Sequence, residues 1–108
     1  IGIIQLNNID YISGTTNWGF IIGEDIKRGK GFSKEAPELL FNYAFNVLNL
    51  RKICGYRIAF NRNAFFMNLS LGFIEEGLLK QHVYYDGKYH DVHILGLFKE
   101  DYYNKIKE

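Results

Sequence analysis

The sequence predicts an α/β protein whose sheet is mixed, mostly antiparallel, with one parallel strand–helix–strand crossover. Three observations carry that expectation. Apolar and β-branched runs at residues 1–6, 17–23 and 52–60 have strand character. Between the second and third of them, Leu39, Leu40, Tyr43, Ala44, Val47 and Leu48 recur at helical spacing, which puts a helix in the crossover. Near the end, Asp86-Gly87 lies between Val83-Tyr84-Tyr85 and Lys88-Tyr89, the pattern of a two-residue type I′ hairpin.

Each element has its own local reason. Residues 1–6 form the first strand, and residues 7–16, rich in Asn, Asp, Ser, Gly and Thr, form a connection into which Ile9, Tyr11 and Ile12 extend the strand raggedly. Residues 17–23 return antiparallel to it. Residues 27–34 are basic and contain glycine. From about residue 35 the apolar stripe described above faces a core. Pro37 complicates its start: were Ser33 the cap, Pro37 would stand where an N–H normally bonds the cap carbonyl. Either the first turn is irregular or the regular helix begins a residue or two later. Residues 52–60 are the next strand. Residues 62–71 form a short helix ended by Gly72, whose missing Cβ suits a left-handed C′ position. In the hairpin, a turn at Asp86-Gly87 sets Tyr84 opposite Tyr89 and His82 opposite Asp91. Lys80, His82, Tyr84, Tyr89, Asp91 and His93 then share a polar-aromatic side, and Leu79, Val83, Val92 and Ile94 an apolar side for helices to cover. Residues 99–108 are a short helix or a frayed tail.

Composition narrows the class. The 108 residues are 47% hydrophobic and 23% charged with one proline, which excludes wholesale disorder and leaves room for one core, hence one domain over residues 1–108. Thirteen Lys and Arg against twelve Asp and Glu leave a formal charge of +1, without the basic excess of a nucleic-acid binder. Cys54 alone cannot form an internal disulfide. No apolar run approaches the roughly 20 residues that span a bilayer, and no secretory leader pattern is present, so a cytoplasmic protein with no membrane partner is the expectation. The chain opens directly on strand sequence without a methionine, so either it is a piece of something longer or processing removed a short leader; the first is favoured, since such a strand is otherwise an unprotected edge.

The most informative stretch is Arg28-Gly29-Lys30-Gly31-Phe32-Ser33, between a strand and a helix. Small residues let the backbone approach a ligand, the first N–H groups of a helix are unpaired, and Lys27, Arg28 and Lys30 add positive charge. This is a seat for a pyrophosphate. A P-loop is excluded because Gly31 follows Lys30 where a hydroxyl residue is needed, and a dinucleotide fingerprint because Lys34 occupies the place of its third glycine.

What remains, Arg28, Gly31 and Ser33 in an R-x-x-G-x-S pattern, resembles the coenzyme A pyrophosphate loop of the GCN5-related N-acetyltransferase (GNAT) superfamily. The resemblance continues through Asn61-Arg62-Asn63-Ala64, Leu71-Gly72-Phe73, Glu76-Gly77-Leu78 and the hairpin from Tyr85 to Asp91, over essentially the whole chain. It is closest to the branch that holds ribosomal-protein-alanine, spermidine and nucleotide-amino-sugar acetyltransferases. It implies an N-terminally truncated acyl-CoA N-acyltransferase fold, with Ile1 at the family's third strand and two strands and a helical hairpin expected before it.

The resemblance further implies transfer of an acetyl group from acetyl-CoA, as co-substrate, to a primary amine by direct attack. Backbone groups of Ile21, Ile22 and Gly23 would pair with the pantetheine amides. Gly29, Lys30, Gly31, Phe32 and Ser33 would hold the pyrophosphate, with charge from Arg28 and Lys30. Asn61 would bond the pantetheine arm, or simply cap the following helix. Many relatives place a tyrosine acid seven residues after that asparagine; here the position is Asn68, which can hydrogen-bond a thiolate but cannot protonate it. Tyr85 is a substitute acid, as are Tyr84 and Tyr89. Asp91 and His82 are candidates for binding or deprotonating the amine, with Tyr84 beside them for substrate binding. A metal site from His82, Asp91 and His93 is not expected. Among acceptors, a nucleotide-linked amino sugar is slightly preferred because the aromatic hairpin could stack a ring. A protein N-terminus stays open, and a polyamine is mildly disfavoured because only Glu75, Glu76, Asp86 and Asp91 are near. A homodimer is left open. The competing readings are a non-catalytic CoA-binding module or degenerate GNAT domain, and a plain α/β domain whose loop binds no anion.

Overall fold

A computed structural model describes the backbone over residues 2–22 and 35–107. Its elements are β1 (Gly2–Asp10), β2 (Thr15–Ile22), α1 (Glu35–Asn42) running into a π-helical turn (Tyr43–Val47), β3 (Lys52–Ile58), α2 (Arg62–Ser70), β4 (Ile74–Tyr85), β5 (Lys88–Phe98) and α3 (Lys99–Lys107). The sheet order is β1-β2-β3-β5-β4. Among the described strand pairs, only β2 and β3 are parallel, joined by the crossover that contains α1. The mixed sheet expected from the sequence is the one observed.

The first connection is shorter than expected, because β1 continues to Asp10. A bulge lies between the pairs Asn7↔Asn17 and Asp10↔Thr15. Asp10 then closes the turn through its carboxylate, which accepts the N–H groups of Ile12 at 3.0 Å and Ser13 at 3.1 Å. Those bonds hold the Asp10 carboxyl below the ordinary carboxylate range.

The crossover helix buries only part of the expected stripe, Leu40, Ala44 and Leu48, and is rotated so that neighbouring residues complete it. Pro37, Phe41, Ala44 and Phe45 are buried, with Leu40 and Leu48 packed against them, whereas Leu39, Tyr43 and Val47 are 67%, 48% and 59% exposed. Both stripes have helical spacing, one residue apart. The volume of Phe41 and Phe45 selects the second, as they meet Trp18, Phe73 and Tyr102. Pro37 lies in the first described turn of α1 and is buried; the start expected near Ser33 lies outside the described residues. The helix ends with Leu48 N–H on Tyr43 O and Leu50 N–H on Ala44 O, both 3.0 Å, across Asn49 at φ +59°.

Around α2 the reading of the sequence holds. Asn61 Oδ1 accepts the Ala64 N–H at 3.2 Å, and Gly72 follows the helix at φ +106°. Asp86 and Gly87 form the turn at φ +53° and +79°, with Tyr84 opposite Tyr89. His82, however, is not opposite Asp91. Between Leu79↔Val92 and Val83↔His90, three residues of β4 face one of β5, and Gln81 there takes φ +47°. The Gln81 N–H donates to Asp91 Oδ1 at 2.7 Å, which takes the place of the expected His82 partner.

The helices also cover the opposite face from the expected one. Alternation carries the His93 side on to Leu95 and Leu97, which are completely or nearly completely buried, and the His93 ring lies against Phe65 of α2 at 4.2 Å. Trp18, Phe41, Ala44, Phe45, Leu50 and Ile53 belong to the same core as Leu95 and Leu97, and Tyr102 of α3 closes it, its hydroxyl donating to Glu38 O at 3.2 Å. The C-terminal segment is thus a docked helix through Lys107. No described helix is long and apolar enough to cross a membrane.

Candidate active site

The parallel pair at the centre of the sheet is short. β2 and β3 are in register only at Thr15↔Lys52, Thr16↔Ile53 and Asn17↔Cys54. Beyond those residues β2 continues to Ile22, still paired with β1 as far as Gly2, while β3 continues to Ile58 against β5. From Trp18 to Ile22 the β2 edge that would face β3 has no strand partner among the described residues. The ladder between the two strands thus ends at Asn17 and Cys54, leaving a strand edge able to pair with an extended ligand.

Side chains, not backbone, cross the opening. From β3, the Arg57 guanidinium carbon stands 5.2 Å from the Trp18 ring and 5.1 Å from the Phe20 ring, both on β2. The Trp18 Nε1–H donates to Asn68 Oδ1 at 3.0 Å, and Asn68 Nδ2 donates to Ala64 O at 2.7 Å. Asn68 is completely buried. Gly55 makes this closeness practicable, because a Cβ there would lie 3.3 Å from Asn68 Oδ1 and 3.5 Å from Trp18 Nε1. Burial pushes the Arg57 pKa down to about 10, so the group is charged at neutral pH.

The expected site residues are distributed as follows. Ile21 and Ile22 are at the far end of β2, beside the opening. Gly23, Arg28, Gly29, Lys30, Gly31, Phe32 and Ser33 lie outside the described residues. Asn61 caps α2 from an exposed position. Tyr85 is exposed beside Phe60, at 5.1 Å, and His90, at 6.3 Å. Tyr84 packs on Tyr89 at 5.1 Å on the other side of the hairpin. His82 is exposed, and Asp91 is half-buried on the Gln81 amide. Among the described residues, no group of three or more His, Cys, Asp or Glu is positioned to hold a metal ion. An open hollow lined by Arg51, Phe98, Lys99 and Tyr103 lies at the start of β3, whereas the unpaired β2 edge lies toward its end.

Two central residues were missed in the sequence, Trp18 and Arg57. The available signal was a guanidinium in the interior of a strand, four residues before Asn61.

Residues 1–74 match the family model for the acetyltransferase (GNAT) domain. The chain belongs to the GNAT family. Within it, this sequence is 31% identical over 105 residues to a spermidine N(1)-acetyltransferase of Vibrio cholerae, spanning 97% of this chain and 60% of the relative. It is 29% identical to a putative ribosomal N-acetyltransferase of Bacillus subtilis, spanning 94% of this chain and 55% of that protein. The crystal structure of the Vibrio cholerae spermidine N-acetyltransferase in complex with CoA and spermine superposes with a TM-score of 0.89 at 32% identity, covering 96% of this chain and 61% of that one. The chain therefore spans a little over half the length of the GNAT relatives it matches.

Proposed function

We propose that this chain is the coenzyme-binding part of an N-acetyltransferase that moves an acetyl group from acetyl-CoA to a primary amine. The observation that carries the reading is the β2–β3 opening, where pairing stops after Asn17 and Cys54 in a chain of the GNAT family. In this reading the pantetheine arm lies along β2 as an extra strand, bonded by backbone groups of Ile21, Ile22 and Gly23. Gly29, Lys30, Gly31, Phe32 and Ser33, with Arg28, hold the pyrophosphate. Catalysis is then chiefly positioning: the amine nitrogen is held against the thioester carbonyl and displaces the thiolate. Tyr85 and Asp91 remain candidates for proton handling at the hairpin, and His82 and Tyr84 for acceptor binding.

A polyamine is the acceptor class to test first, because similar proteins are spermidine acetyltransferases. A nucleotide-linked amino sugar and a protein N-terminus are the other acceptors of the proposal. A cytoplasmic location belongs to it too, with Cys54 as a free thiol. So does self-association, since one similar structure, of the Vibrio cholerae enzyme, is described as dodecameric.

The test is thiol release from acetyl-CoA in the presence of spermidine, a nucleotide-linked amino sugar and a short peptide with a free N-terminus. Release that depends on one of these amines is the expected result. Binding of acetyl-CoA without release by any amine favours the second reading, a non-catalytic CoA-binding module. That reading is motivated by Asn68, a buried carboxamide whose bonds are already taken by Trp18 and Ala64. No binding at all rejects both.

A further inference from the structure

The Arg57 guanidinium is largely buried, and among the described residues no carboxylate pairs with it. Its Nη1 donates to Tyr56 O at 2.7 Å, but Nη2 is only 3.5 Å from Trp18 O and from Asn68 Oδ1, and Nε is buried with no partner. A guanidinium has five N–H donors, so most of this one's capacity is unspent. Contacts at 3.5 Å are weak hydrogen bonds at best. The charged neighbours are otherwise engaged. His93, directly across from Arg57 on β5, is hydrogen-bonded to Glu75, and the Glu76 carboxylate is held by Lys52 at 3.0 Å. Lys52 alternates with Arg57 along β3 and faces the other side of the sheet.

Burying an unpaired charge is costly, so a negative charge brought beside it by a ligand would be stabilised there. The aromatic rings of Trp18 and Phe20 keep this cation at the place where β2 and β3 part. Asn68, next to it, cannot supply a proton and has both its amide groups committed.

We propose that Arg57 receives the departing sulfur: its unspent N–H groups donate hydrogen bonds to the coenzyme A thiolate as the C–S bond breaks. The inference rests on the acetyl-CoA reading above and adds to it the group that stabilises the leaving thiolate. The amine lone pair forms the C–N bond, and the C–S bonding pair leaves on sulfur. The proton lost from nitrogen passes to water, directly or by way of the hairpin candidates Tyr85 and Asp91. Arg57 stays protonated throughout, so no general acid is needed at the position of Asn68. Preorganised donors aimed at developing charge are worth about 100- to 1,000-fold in kcat.

The test reads the thiol itself. Coenzyme A is bound to the 108-residue chain and its thiol titrated by ultraviolet thiolate absorbance, for the unaltered protein, Arg57→Gln and Arg57→Lys. A free thiol titrates near about 8.5. Bound thiol is expected at least about one unit lower in the unaltered protein and in Arg57→Lys, and back at the free value in Arg57→Gln. In turnover, Arg57→Gln is expected to lose about 100-fold in kcat with little change in the KM for acetyl-CoA. Bound coenzyme A whose thiol titrates at the free value would overturn the inference and leave the acetyltransferase reading standing. So would a lowered value that survives in Arg57→Gln. Absence of coenzyme A binding would remove both. Should Arg57→Gln fail to fold, Arg57→Met, which keeps an apolar stem between the Trp18 and Phe20 rings, takes its place in the same titration with the same expected and overturning results.

Discussion

β3 has two edges that behave in opposite ways. Toward β5, every residue from Lys52 to Ile58 has a ladder partner; toward β2, pairing stops at Cys54. The strand is the same, so its own β-propensity cannot be the cause. What differs is the neighbour. β5 is an antiparallel strand that follows β3 through its full length, whereas β2 is held by β1 on its other side and parts from β3 where Trp18 enters. The closed edge is held by backbone hydrogen bonds. The open edge is held by a few large or polar side chains, Trp18, Arg57 and Asn68, and that makes it a concentrated point of weakness.

Three substitutions probe that contrast. Trp18→Ala should have the largest effect, because it empties a core position and strands both Asn68 and the Arg57 stack. A loss of about 3–5 kcal/mol of unfolding free energy is expected in denaturant titration. A loss under about 1 kcal/mol would mean that the ring does not hold the open edge. Gly55→Val comes next, since its side chain would press on Asn68 and Trp18. About 1–3 kcal/mol is expected from overpacking, seen as a lowered midpoint with an unchanged denaturant slope. Unaltered stability would show that the two side chains can withdraw freely. Glu76→Gln, on the closed side, should matter least. Its ion pair with Lys52, at 3.0 Å, is partly exposed, so the cost should stay below about 1 kcal/mol and shrink with added salt. A larger, salt-independent cost would mean that the closed edge also depends on side chains.

The elements themselves were legible because their signals are local. Asp86-Gly87 dictates its turn by backbone conformation, Asn61 and Gly72 bracket α2 by capping, and alternation or helical spacing marks the rest. Errors arose where two local solutions were nearly equal. The crossover helix had two apolar stripes one residue apart, and only the packing of Phe41 and Phe45 chose between them. The bulge at Gln81 has no glycine or proline to announce it, so simple counting from the turn put His82 opposite Asp91. Reading the hairpin only as far as Ile94 also hid Leu95 and Leu97, which decide which face the helices cover.

The site divides along the same line. Contiguous residues, the glycine-basic stretch at 28–33 and the asparagine at 61, carry a recognisable pattern because backbone amides act as a run. Trp18 and Arg57 belong to no such run, and Asn68 is marked only by its spacing from Asn61. The sequence alone determined the order of strands and helices, the hairpin turn and the family, since each depends on chain-local conformation and on motifs close together in the chain. Only the tertiary structure decided where two parallel strands separate and which cation stands in the gap. That depends on side chains from β2, β3 and α2 competing for one volume, and no local rule of spacing contains it.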